Sequence, residues 1–309
     1  MVQLESVGDV IGHAIRVYRF NYLVIAQALI IATIICLAGR TLLQWGLSQQ
    51  LAFASLGPQI ATCVGGFAIT IWAVWQLTLI QIALTVHLTL NDMSFSAALK
   101  RVQSKQLQIF NCFWIAGSVC FLNVLIWSLF AVGSSVMYSS FASNELNNLL
   151  AALLICVVTL SGLFFGTAIV YIFWAFSIVI TAFENVNLSI VTEECASLIF
   201  HDFSRICGFV VAIAICLSAL LLPLYFPPLV VGVIEMSRYE LSHPGKHLMK
   251  MPFPLLVFFQ VWESLISMIV WPIFYISVGF FYRDLKMRQR ASDVLENLDK
   301  LKANGNAHD

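Results

Sequence analysis

Charge is what this sequence has least of. Asp, Glu, Lys and Arg supply 10% of its 309 residues, where an ordinary soluble domain carries about 25%. Apolar residues make up 60% and the mean hydropathy is +0.90. A water-soluble fold of this size could not cover so much apolar surface, so lipid must be the solvent for most of it. Net charge is zero, which excludes a basic nucleic-acid-binding domain. No stretch of even roughly 50 residues reads as an aqueous domain, so no separate catalytic domain is expected. Nucleotide loops, nucleophile elbows and paired zinc motifs are also missing. We therefore expect no enzyme and no cofactor.

The cysteines, Cys36, Cys63, Cys112, Cys120, Cys156, Cys195, Cys207 and Cys216, form no C-x-x-C, and most sit within apolar runs. They read as small buried hydrophobes. The N-terminus does not read as a cleaved signal, because Glu5 and Asp9 precede an apolar run longer than a signal core. Cys36-Leu37-Ala38-Gly39 has its cysteine ahead of the small residues, the reverse of a lipoprotein cleavage box.

What is present is organised around 6–20. At helical spacing Val7, Val10, Ile11, Ala14, Val17 and Tyr18 form an apolar stripe, while Glu5, Asp9, His13 and Arg16 form the opposite face. An uncharged apolar run, 22–39, follows and stops at Arg40. This order predicts an interfacial helix handing over to a first span. Thr41 to Pro58 is mixed, with Trp45 placed as an interfacial anchor. A second span covers about 60–88 and closes at Asn91-Asp92.

The opener then returns. Ser94, Phe95, Ala98, Leu99 and Val102 lie on one face, with Lys100, Ser104 and Lys105 mostly on the other. A third span follows at 109–137 and a polar loop at 139–148. The fourth span, 149–183, is long enough as one helix to outreach the hydrocarbon core of roughly 30 Å. A weaker third opener, 189–203, carries Val191, Cys195, Leu198 and Ile199 against Glu194, His201 and Asp202. A fifth span begins near Ile206 and meets Pro223, Pro227 and Pro228, where a helix terminus is expected. A final span ends at Tyr282, before the charged tail 283–309.

The openers start at Ser6, Ser94 and Ser189, and each precedes two spans. Paired crossings return the chain to one side, so the copies share an orientation and pack as parallel repeats. The expected fold is an all-α transmembrane bundle of about six spans. It forms one domain, 1–282, with repeats at about 5–92, 93–187 and 188–282. With the N-terminus inside, Arg16, Arg19, Lys100, Arg101, Lys105, Arg205 and six tail residues face the cytoplasm; Arg40, Arg238, Lys246 and Lys250 face out. The positive-inside rule then places both termini in the cytoplasm.

Ser6-Val7-Gly8-Asp9 leading to Tyr18-Arg19, and Phe281-Tyr282-Arg283-Asp284-Leu285-Lys286 followed by Arg288 and Asp293, mark the two ends. Here the chain resembles a group of prokaryotic integral membrane proteins classed with the membrane domain of glycerophosphoryl diester phosphodiesterases. The resemblance implies repeated openers before paired spans across most of the chain, in the cell (inner) membrane. It does not imply phosphodiesterase activity, because the soluble catalytic barrel is not in this sequence.

Among polar residues within spans, Glu263 is the sharpest candidate. Gln260, Glu263 and Ser267 share a helical face and could line a bundle interior. Counting back about 20 residues from Tyr282 puts Glu263 instead at the outer headgroup level, near Arg40 or Lys250. Asn123, at mid-span, reads as an interhelical hydrogen-bonding group, and Gly162-x-x-x-Gly166 as a helix-packing face. His243 and His247 are separated by Pro244 and Gly245, which deny the helix a metal site would need. Glu193, Glu194, His201 and Asp202 read as a solvated face. The expectation is a non-enzymatic membrane protein that organises lipid or binds partner proteins through its cytoplasmic openers; the expected partners are membrane lipids and either other membrane proteins or further copies of itself. The alternative is a small-solute or lipid transporter with a polar path through Glu263, Gln260 and Asn123.

Overall fold

The computed structural model describes residues 6–48, 56–90, 93–141, 145–184, 187–242 and 253–305. Among these residues there is no strand. The helices are α1 (Val7–Ser48), α2 (Leu56–Leu90), α3 (Phe95–Ser104), α4 (Gln106–Phe141), α5 (Glu145–Phe183), α6 (Leu188–His201), α7 (Phe203–Ser242) and α8 (Phe253–Gly305). Among the described residues, five helices are long and apolar enough to cross a bilayer: α1, α2, α4, α7 and α8. Helix α5 holds the shorter apolar stretches Leu150–Leu163 and Ile169–Phe183. This is the build of a multi-pass helical membrane protein.

Four boundaries depart from expectation. The first opener and the first span are one helix, because the buried face keeps its phase. Val10, Ile11, Ala14, Ile25, Leu29, Ala32 and Cys36 are all buried on one side, and nothing between them breaks the 3.6-residue period. The polar loop expected at 139–148 is mostly helical, since α4 runs to Phe141 and α5 starts at Glu145. Helix α7 does not end at its prolines but continues through Pro223, Pro227 and Pro228 to Ser242. Helix α8 runs on past Tyr282 for most of the expected tail, to Gly305. At about 1.5 Å per residue its 53 residues span roughly 80 Å, far more than a hydrocarbon core.

The chain divides into two compact units, one of 1–103 with 204–309 and the other of 104–203. The divisions fall one short helix later than the expected repeat boundaries near 92 and 187. In the first unit α3 belongs with α1 and α2. His87 Nδ1 lies 2.7 Å from Met93 O, its ring meets Phe95 edge-on, and Phe95 packs on the core formed by Ala14, Ile25, Leu29, Leu84, Leu88 and Ile276. In the second unit α6 belongs with α5, where the Cys195 thiol donates to Phe173 O at 3.6 Å.

Close approach of α1 and α2 depends on Gly66. A Cβ there would lie 2.5 Å from Leu43 N and 2.9 Å from Gly39 O. In lipid, where apolar burial drives little association, such backbone contact is a main source of helix–helix attraction.

Candidate functional site

Glu263, on α8, forms an ion pair with Arg40 of α1, its Oε2 lying 3.2 Å from the guanidinium. Both side chains keep partial exposure, 53% for Glu263 and 33% for Arg40. Gln260, one turn earlier, is buried, and its Oε1 lies 3.1 Å from the Thr41 hydroxyl. That hydroxyl also donates to Leu37 O at 2.8 Å, so a single proton serves two acceptors. Among the described residues, Gln260 Nε2 and Gln44 Oε1 are buried without a protein partner. Ser264 turns back on its own helix to Gln260 O, and Ser267 is half-buried. The expected stripe of Gln260, Glu263 and Ser267 is thus split, Gln260 being buried, Ser267 half-buried and Glu263 half-exposed.

Asn123 belongs to the second unit. Its Nδ2 donates to Thr167 Oγ1 at 3.3 Å and to Leu163 O at 3.5 Å, joining α4 to α5. The glycines of α5 face the same helix. A Cβ at Gly166 would overlap the Asn123 amide, and one at Gly162 would overlap the Trp127 indole. At the other end of this unit, Lys105 donates from Nζ to Thr181 O at 2.9 Å and to Glu184 O, covering the last carbonyls of α5.

The site that sequence reasoning passed over is at the end of the closing motif. Asp284 is buried, and its Oδ2 accepts from Arg205 at 2.7 Å and from Arg288 at 3.1 Å. Phe281 stacks on Phe209 at 4.0 Å, nearly parallel, with Arg205 over the ring. Arg283 donates to Thr89 O at the end of α2, much as Lys105 does for α5. The available signal was an Asp with an Arg four residues on, directly after the last apolar run. That spacing reads as an exposed helical pair until α7 supplies Arg205.

The opener stripes are buried: Val10, Ile11 and Ala14 in α1, Ala98 and Val102 in α3, and Val191, Cys195 and Leu198 in α6. Their opposite faces are exposed, including Arg16, Arg19 and Phe20, then Lys100, then Glu193, Phe200 and His201. Ser6 caps α1 in a reciprocal box with Asp9, whose N–H reaches Ser6 Oγ at 3.2 Å while Ser6 N–H reaches Asp9 Oδ2 at 3.0 Å. Ser94 caps α3, accepting from Ala97 N–H at 3.4 Å. At α6 the capping position is Asn187, whose side chain makes no cap. Glu194 and Asp202 are partly buried, and no set of three metal-binding side chains occurs among the described residues. His243 and His247 lie outside them.

Comparisons with family models, with curated proteins and with solved structures find no match.

Proposed function

We propose that this chain is a non-enzymatic scaffold of the cell (inner) membrane. In this reading it crosses six times, α5 supplying the crossing beyond the five long apolar helices, with both termini in the cytoplasm. Its three openers serve as struts that fix the inner end of each helix pair. Their outward faces organise lipid or hold partner membrane proteins. The observation that carries the reading is the two-sidedness of the openers. Each buries one stripe in protein and leaves the opposite face open, with Phe20 80% and Phe200 82% exposed. Phe20 beside Arg16 and Arg19 on the first opener, Lys100 on the second and Phe200 on the third are all exposed, a mix of aromatic and cationic groups that suits the headgroup layer. The plan is the one implied by the resemblance to the membrane domain of glycerophosphoryl diester phosphodiesterases, without the catalysis that belongs to their soluble barrel.

The test replaces only the outward faces. Arg16→Glu, Arg19→Glu and Lys100→Glu with Phe20→Ser and Phe200→Ser should strip co-purifying lipid or partners while the unfolding midpoint in detergent stays put. Unchanged recovery of both would refute the scaffold.

The orphaned amide atoms of Gln260 and Gln44 favour a second reading, a path for a small polar solute beside Glu263. Glu263→Gln should then alter flux in reconstituted vesicles. If every flux measured is indifferent to that change, the path is not there.

A further inference from the structure

We propose that the end of α8 is a parallel self-association seam, occupied by the same segment of a second copy of this chain. Beyond the Asp284 ion pairs the helix continues without a break to Gly305. Along it Met287, Ala291, Val294, Leu298 and Leu301 recur at intervals of four, three, four and three. That is the a/d pattern of a coiled coil. Met287 is 45% and Val294 58% exposed, and Ala291 is exposed between them.

Three arguments choose the occupant. First, an anionic membrane surface is a poor fit. From 287 to 305 the chain carries Arg288, Arg290, Lys300 and Lys302 against Asp293, Glu296 and Asp299, a mixed surface where membrane docking needs a basic one. Second, the seam is short, five positions, and a soluble partner would hold it weakly. Copies confined to one bilayer meet at high effective concentration. Third, copies inserted alike present α8 in parallel, as an in-register a/d seam requires. The flanking positions then set Arg290 beside the partner's Leu295, and Asn297 beside the partner's Lys302, so neither pairing opposes like charges.

The test uses the full chain in phosphatidylcholine–phosphatidylglycerol vesicles, with oxidative cross-linking of single added cysteines over the background of the native ones. Val294→Cys and Leu301→Cys should form dimers about tenfold faster than Glu296→Cys on the far face. Val294→Asp with Leu298→Asp should abolish dimers counted by single-molecule photobleaching, with the unfolding midpoint unchanged. Equal rates at the three positions, monomers throughout, or dimers that survive the double Asp variant would each overturn the seam. So would quenching by brominated lipid of a fluorophore attached at Val294→Cys, which would place this face on the membrane.

Discussion

Trp262 of α8 donates its indole N–H to the carbonyl of Leu224 at 2.6 Å. Leu224 is four residues before Pro228, which has no N–H to return to it. The indole therefore replaces the hydrogen bond that the proline deletes, and α7 passes through its proline cluster instead of ending there. Trp262→Phe should lower the stability of the first unit by about 1–2 kcal/mol, the cost of an orphaned carbonyl. Pro228→Ala restores a helical donor, so Trp262→Phe in that background should cost clearly less. Equilibrium unfolding in mixed detergent micelles reads both, and additive losses would show that the two groups are not coupled.

The same pair shows what the sequence could and could not disclose. Periodicity made the stripes legible, and every stripe residue that is fully buried in the openers, from Val10 to Leu198, follows from 3.6-residue spacing. The span cores were legible from apolar runs. Helix ends were not, because they depend on partners far along the chain. Pro228 reads as a terminus until Trp262 is beside it, whereas Arg40 is already one of the two partners that counting back from Tyr282 offers Glu263. Asp284 reads as one more charge at the start of a tail, since its nearer partner, Arg205, lies far back along the chain on α7. Gly66 carried no mark distinguishing it from Gly65.

Those two adjacent glycines make a sharp comparison. A Cβ at Gly66 would collide with backbone atoms of α1, which cannot move without parting the helices, whereas nothing lies within 4 Å of one at Gly65. Gly66→Ala should cost about 1–3 kcal/mol by overpacking. Gly65→Ala should stay within about 0.5 kcal/mol of the parent. Unfolding midpoints of the two variants decide it, and equal losses would mean that the α1–α2 contact is looser than the geometry describes.

At Asp284 two guanidiniums converge on one buried carboxylate oxygen. Asp284→Asn keeps the shape and removes the charge that both cations need. Breaking a fully buried pair costs about 3–5 kcal/mol; here both arginine side chains keep about a fifth of their exposure, so about 2–4 kcal/mol is expected. Arg205→Ala should cost more than Arg288→Ala, because Arg205 is the nearer partner and also covers Phe281. The losses should persist at 1 M salt, since screening acts weakly on pairs removed from solvent. Losses that vanish with salt would place the cluster in water.

In the second unit, Asn123 and Gly166 occupy complementary space. Removing the amide with Asn123→Ala forfeits its bonds to Thr167 and Leu163, about 0.6–2 kcal/mol for polar contacts between membrane helices. Gly166→Ala should cost more, because its methyl group needs the volume the amide fills. Combining the two should recover part of that loss, the shortened side chain making room for the added methyl. A double variant as unstable as the sum of the singles would mean that the two positions do not touch, and that α4 and α5 meet elsewhere.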